Sequence, residues 1–197
     1  MTSGQAPTTR ERILTGAGAL FRRQGYTGTG LAQIAEESQA RIGSIYHFFD
    51  NKDALGEEVV RTAGAAYGAM VMGVIVDGPD DPVDALGAAF VQAARDLEAT
   101  DYADACPIAT IALEVASTHE SMRVATAEVF EAWTTGLTAW CGRITDDPDD
   151  ARDLALAVLS QLEGAFVLAR ARRSREPLES AARSIVRLAT ALRTTPD

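Results

Sequence analysis

Apolar residues recur at helical spacing along almost the whole chain, and nowhere do they alternate with polar ones long enough to make a strand. Ile13, Ala17, Leu20 and Phe21 fall at i, i+4, i+7 and i+8, one face of a helix that Thr8 or Thr9 can cap and Gly25 can end. Thr29 is placed to cap a second short helix with Leu31, Ile34 and Ala35 inward. After a break near Ser38 and Gln39, a third short helix through Arg41–Phe49 turns Ile45 and Phe49 inward. Asn51 then caps a helix that can run to Val76. Asp81-Pro82, Asp147-Pro148 and Glu176-Pro177 each set an acidic residue before a proline suited to a first helical turn. Residues 148–172 open on Asp149, Asp150 and Asp153 and close on Arg170, Arg172 and Arg173, so both ends complement the helix dipole. This helix is apolar on two sides: Leu154, Val158, Leu162 and Phe166 on one, Leu156, Leu159 and Val167 on another. A last helix is expected over 177–194. One face can meet its own core, and the other asks for a partner. The expected fold is all-α, with nine or ten helices.

The chain has 197 residues and a net charge of −10, long enough for one or two domains with a proper core. The average hides an asymmetry. Residues 1–52 hold six basic and four acidic side chains, whereas residues 53–197 hold 12 and 24. A mildly basic head on a strongly acidic body fits a protein that meets DNA at one end only. Cys106 and Cys141 are too few for a disulfide framework or a cysteine-rich zinc site, and with His119 they lack a short ligand spacing. Neither a metal nor another cofactor is expected, and small buried hydrophobes are the reading that two isolated thiols favour. The opening MTSGQAPTTRER lacks the apolar core of a signal peptide. The longest candidate membrane run, 69–76, falls far short of the ~20 residues of a span. A cytoplasmic protein without a membrane segment is expected.

The stretch from Thr29 to Lys52 reads as two short helices joined by a tight turn and braced by the helix before them. That is a helix-turn-helix, whose second helix can lie in the major groove of DNA. Gly43 and Ser44 are small enough to let the backbone come close, and Arg41 can reach a guanine edge or a phosphate. Tyr46, His47 and Lys52 lie at the far end, where phosphates flank the groove and contacts fix register.

Thr29, Ile34-Ala35, the run from Gly43 to Phe49, and Asn51-Lys52-Asp53-Ala54-Leu55 resemble the signature of the TetR (tetracycline repressor) family. With the lead-in Ala19-Leu20-Phe21, Gly25-Tyr26, the resemblance covers residues 10–55. It implies a helix-turn-helix DNA-binding domain over 1–55 and a helical ligand-binding and dimerisation domain over 56–197. It also implies a homodimer on roughly palindromic double-stranded operator DNA, with Thr29, Arg41, Gly43, Ser44, Tyr46, His47 and Lys52 as DNA-binding residues. Three departures stand out. Gln39 replaces the usual turn glycine, Arg41 stands where a serine often caps the recognition helix, and Phe48 replaces a histidine or tyrosine.

Downstream, the segments Cys106–Glu114 and Glu163–Ala171 resemble the LmrA/YxaF-like branch, whose members sense lipophilic or aromatic small molecules. The implied effector site draws on Phe90, Cys106, Thr110, Phe130, Trp133, Glu163 and Phe166. Glu163, polar within an apolar helix, fits either a ligand contact or a salt bridge across a dimer. The implied function is a ligand-responsive transcriptional regulator, a repressor released from its operator by a small lipophilic or aromatic effector. A regulator of the same fold triggered by cysteine thiol chemistry or by a protein partner is the alternative. The sequence holds no nucleophile elbow, phosphate loop or close His–Cys pair, so no enzyme is expected.

Overall fold

Residues 6–104 and 106–193 are described by the computed structural model, and among them the chain forms nine helices and no strand. These are α1 (Thr9–Gln24), α2 (Leu31–Glu37), α3 (Ile42–Phe48), α4 (Lys52–Val76), α5 (Pro82–Ala99), α6 (Pro107–Val115), α7 (Glu120–Cys141), α8 (Pro148–Arg172) and α9 (Glu176–Leu192). The expected end of the last helix, residue 194, and the first five residues lie outside the described residues. The helices form two compact units, one of the chain up to Ala65 with Pro107–Val129, the other of Ala66–Cys106 with the chain from Phe130 onward. Helices α4 and α7 contribute to both.

In the first unit, local chemistry sets the ends of α1. The Thr8 hydroxyl accepts from the Glu11 N–H at 3.3 Å, and the Glu11 carboxylate accepts from the Thr8 N–H at 2.7 Å, so two orphan donors are satisfied reciprocally. Gly25 ends the helix at φ 80, a conformation that favours glycine. Ile13, Ala17, Leu20 and Phe21 are buried together with Ile34, Ile45, Phe49 and Leu55. The cap of α2 differs from expectation by one residue. Gly30 takes it, donating to the Gln33 side chain at 2.9 Å, while Thr29 is buried and its hydroxyl donates to the Gly25 carbonyl at 2.7 Å. A carbonyl four residues back satisfies the threonine, which leaves its neighbour to start the helix. Gln39 holds the turn into α3 at φ 50, and Asn51 caps α4 by accepting from the Ala54 N–H at 2.8 Å.

In the second unit, Asp81 and Asp147 cap α5 and α8, each accepting from two N–H groups of the first turn. Helix α9 packs against α5 and α8. Leu154, Val158 and Phe166 of α8 and Leu178, Ala182, Ile185 and Ala189 of α9 are buried. Leu156, Val167, Leu168 and Leu188 stay exposed along the same helices. Both α4 and α8 prove long and apolar enough to cross a membrane by length and composition, because scattered charges interrupt a run without lowering the average. A helix that buries two sides needs the same apolarity.

Candidate DNA-binding head and effector site

Helix α3 turns Ile45 inward and everything chemically useful outward. Arg41, Ile42, Gly43, Tyr46, His47 and Phe48 are exposed, and Ser44 is half-buried. Thr9, Arg41, Gly43, Ser44, His47 and Phe48 line an open hollow of about 300 Å³. A Cβ added at Gly43 would meet nothing within 4 Å, so no internal packing demands a glycine there. Arg41 holds the N-cap position, yet its side chain makes no cap bond. The His47 and Phe48 rings meet edge to face at 4.9 Å.

The expected DNA-binding set therefore divides. Arg41, Gly43, Ser44, Tyr46 and His47 share the α3 surface, while Thr29 precedes α2 and Lys52 opens α4. Thr29 is 1% exposed and braces the α1–α2 corner from within. The Lys52 ammonium donates to the Tyr26 carbonyl at 2.7 Å and lies 4.1 Å over the Tyr26 ring. Partial burial there pulls the lysine below its ordinary pKa.

Tyr26 is also the centre of a polar joint that local pattern does not reveal. Its hydroxyl donates to Asp53, and burial followed by this bond pushes it above the ordinary tyrosine range, which keeps it a donor. Asp53 lies 3.8 Å from Nε2 of His119, whose ring meets Tyr26 edge to face at 5.3 Å. Glu114, on α6, accepts from the Thr27 N–H at 2.8 Å. The start of α4 and the α6–α7 corner thus both grip the loop after α1, within one unit. The contacting residues are far apart in sequence, and although Tyr26, Asp53 and Glu114 each lie in stretches that resemble the family, nothing local pairs them.

The expected effector residues divide as well. Thr110 lies on α6 in the first unit, and Phe90, Cys106, Phe130, Trp133, Glu163 and Phe166 belong to the second. Phe90 and Phe166 are buried core, whereas Phe130 and Trp133 are half-buried and meet edge to face at 5.5 Å. Tyr67, unmarked by the sequence, lies 5.6 Å from the Trp133 ring. Glu163 Oε1 is buried without a hydrogen-bond partner. Burial pushes this carboxyl up to about 7, opposed by a hydrogen bond from Cys106. Both cysteines are buried, and neither forms a disulfide. Burial pushes the Cys141 thiol up to about 11, away from the thiolate that a sensor requires. No group of three or more metal-ligating side chains occurs among the described residues.

Comparison with known proteins places these features. The pattern for bacterial regulatory proteins of the tetR family matches residues 13–59. The pattern for the C-terminal domain of LmrA/YxaF-like transcriptional regulators matches residues 82–184. The chain is 32% identical over 170 residues to the HTH-type transcriptional regulator YxaF of Bacillus subtilis, covering 86% of this chain and 88% of that one. It is 34% identical over 179 residues to the HTH-type transcriptional regulator Rv0196 of Mycobacterium tuberculosis, with the same coverage. The crystal structure of reduced Escherichia coli NemR superposes with a TM-score of 0.79 at 25% identity, over 95% of this chain and 98% of that one.

Proposed function

The chain belongs to the TetR family of DNA-binding transcriptional regulators, a family of regulators and not of enzymes, and from that premise we propose that it is a cytoplasmic, effector-released repressor. NemR of Escherichia coli, 26% identical over 181 residues, is a transcriptional repressor. The observation that carries the reading is the α3 surface: Gly43 opens on empty space among exposed Arg41, Tyr46 and His47, on the basic end of an acidic chain. A backbone bared in this way suits close approach to base edges, with Arg41 able to read a guanine.

Residues 1–55 bind the operator in this reading, and residues 56–197 hold the effector and dimerise. The exposed apolar side chains Leu156, Val167, Leu168 and Leu188 support a homodimer through α8 and α9. Two-fold symmetry then calls for a roughly palindromic operator with half-sites one DNA turn apart, about 34–36 Å. A small lipophilic or aromatic effector favours a state in which α4 swings and the two recognition helices lose that spacing. Its leverage equals its differential affinity for the two states.

The test is a gel-shift titration of the DNA upstream of the chain's own gene, at two salt concentrations, against an unrelated fragment. Tighter binding to its own fragment that survives the higher salt is the expected result. Binding to neither fragment would overturn the reading.

A further inference from the structure

Glu163 is the one acidic side chain among the described residues with a buried oxygen that nothing satisfies. A buried polar atom without a partner costs about 1–3 kcal/mol, and residues 162–168, Leu-Glu-Gly-Ala-Phe-Val-Leu, offer no polar reason for it. The groups that face it belong to the same unit. Cys106 donates to the carboxyl, and the Tyr67 hydroxyl feels its charge, with Asp96 acting on Tyr67 from α5. Tyr67 leads on to Trp133 at 5.6 Å and Trp133 to Phe130 at 5.5 Å. Through Tyr67, the carboxyl's charge acts at one end of this run of three aromatic rings.

We propose that the effector is an aromatic or lipophilic organic cation, whose positively charged nitrogen docks on the free oxygen of Glu163 beside the rings of Tyr67, Trp133 and Phe130. This rests on the effector-released reading above and names its ligand class. Ring faces attract a cation, and a carboxylate shielded from water attracts it more strongly still. A neutral ligand with an acceptor group would instead need Glu163 protonated. Because the carboxyl titrates near 7, pH separates the two. A cation competes with the proton, so its affinity rises with pH through 7. An acceptor ligand loses affinity over the same range.

The test uses the full chain and three matched probes: 2-(1-naphthyl)ethylamine as the cation, 2-(1-naphthyl)ethanol as the neutral analogue and 1-naphthylacetate as the anion. Calorimetric titrations on either side of pH 7 are followed by operator gel shifts with each probe. The ammonium is expected to bind, more tightly at the higher pH, and to release the operator. Glu163→Gln should weaken it by about tenfold or more, about 1.4 kcal/mol, while Glu163→Asp, which keeps the charge, retains part of the affinity. Thermal melting confirms that both variants fold. Binding and operator release by the alcohol or the acid without the ammonium would overturn the cation and leave the effector reading standing. So would an ammonium affinity indifferent to Glu163→Gln. Silence from all three probes overturns the proposal, and the probe-free operator titration then judges the regulator reading alone.

Discussion

Gly43→Ala separates what the head needs for folding from what it needs for DNA. Gly43 is the second residue of α3, and an alanine in a helix is worth up to about 1 kcal/mol over glycine. The added methyl meets no atom within 4 Å, so no steric cost opposes that gain. The expected change is therefore a stabilisation of about 0.5–1 kcal/mol, or a rise of about 1–4 °C in melting temperature for a chain of this size. Operator affinity should move the other way. If the α3 backbone approaches base edges at Gly43, a methyl in that gap lifts the helix and loosens the contacts of Arg41, Ser44 and His47 together. A loss of about tenfold or more is expected, with non-specific binding little changed. Calorimetric melting and operator titration at fixed salt on the same preparation read both quantities. A destabilised variant would refute the open-space argument, and unchanged operator affinity would refute the approach of DNA at this position.

Gln39→Gly, which relieves a left-handed non-glycine residue at φ 50, should stabilise the chain by about 1 kcal/mol, read as a shift of the denaturant midpoint. Arg41→Ala removes no cap bond, so melting should stay unchanged while preference at one operator position relaxes by about 1–3 kcal/mol in binding to single-base operator variants. Lys52→Ala removes the bond to the Tyr26 carbonyl and the contact over its ring. It should cost about 1–2 kcal/mol of stability in melting, with the salt slope of DNA binding unaltered. A slope reduced by about one phosphate without destabilisation would instead assign the ammonium to a phosphate. Glu163 titrates near 7 in the fold against an ordinary 4.5. Its raised folded value means that stability is full below about 4.5 and is lost as pH rises through 7, about 3 kcal/mol in all. Melting curves across that window should therefore show Glu163→Gln gaining on the parent as pH rises, and parallel curves would contradict the buried-carboxylate account.

How much of this was legible in the sequence follows from how far apart the causes lie. The Thr8–Glu11 box, the Gly25 stop, the Asp81 and Asp147 caps and the αL turn at Gln39 are all settled within a few residues, and each stands where local chemistry puts it. Thr29 and Gly30 can both cap a helix. The tie is broken by burial of Thr29, which no local pattern encodes. Lys52 has the same history. Its place at the end of the motif is local, whereas the bond from its ammonium to the Tyr26 carbonyl, 26 residues away, is not. The Asp53–His119 and Thr27–Glu114 contacts span 66 and 87 residues and have no periodic signature. Glu163 was visible because a carboxylate interrupts an apolar face, while its neighbour Tyr67, an ordinary aromatic on a long helix, was not.

The places where this chain breaks its own local rules are informative for that reason. A left-handed glutamine, a glycine with nothing around it and an orphaned buried carboxylate each cost stability, and nothing inside the fold requires any of them. Sequences that specify a fold are otherwise consistent from level to level, and departures concentrate where something outside must bind. Gln39 and Gly43 flank the start of α3, where DNA would approach, and Glu163 stands in the other unit, where its charge acts on the half-buried Tyr67. The two sets can be separated by experiment. Substitutions that remove the first two costs should change stability and operator affinity but not effector release, and Glu163→Gln should leave operator affinity without effector intact while weakening release. If Glu163→Gln instead altered operator binding in the absence of effector, the carboxylate would be setting the resting balance of the two states, and its cost would belong to the switch itself.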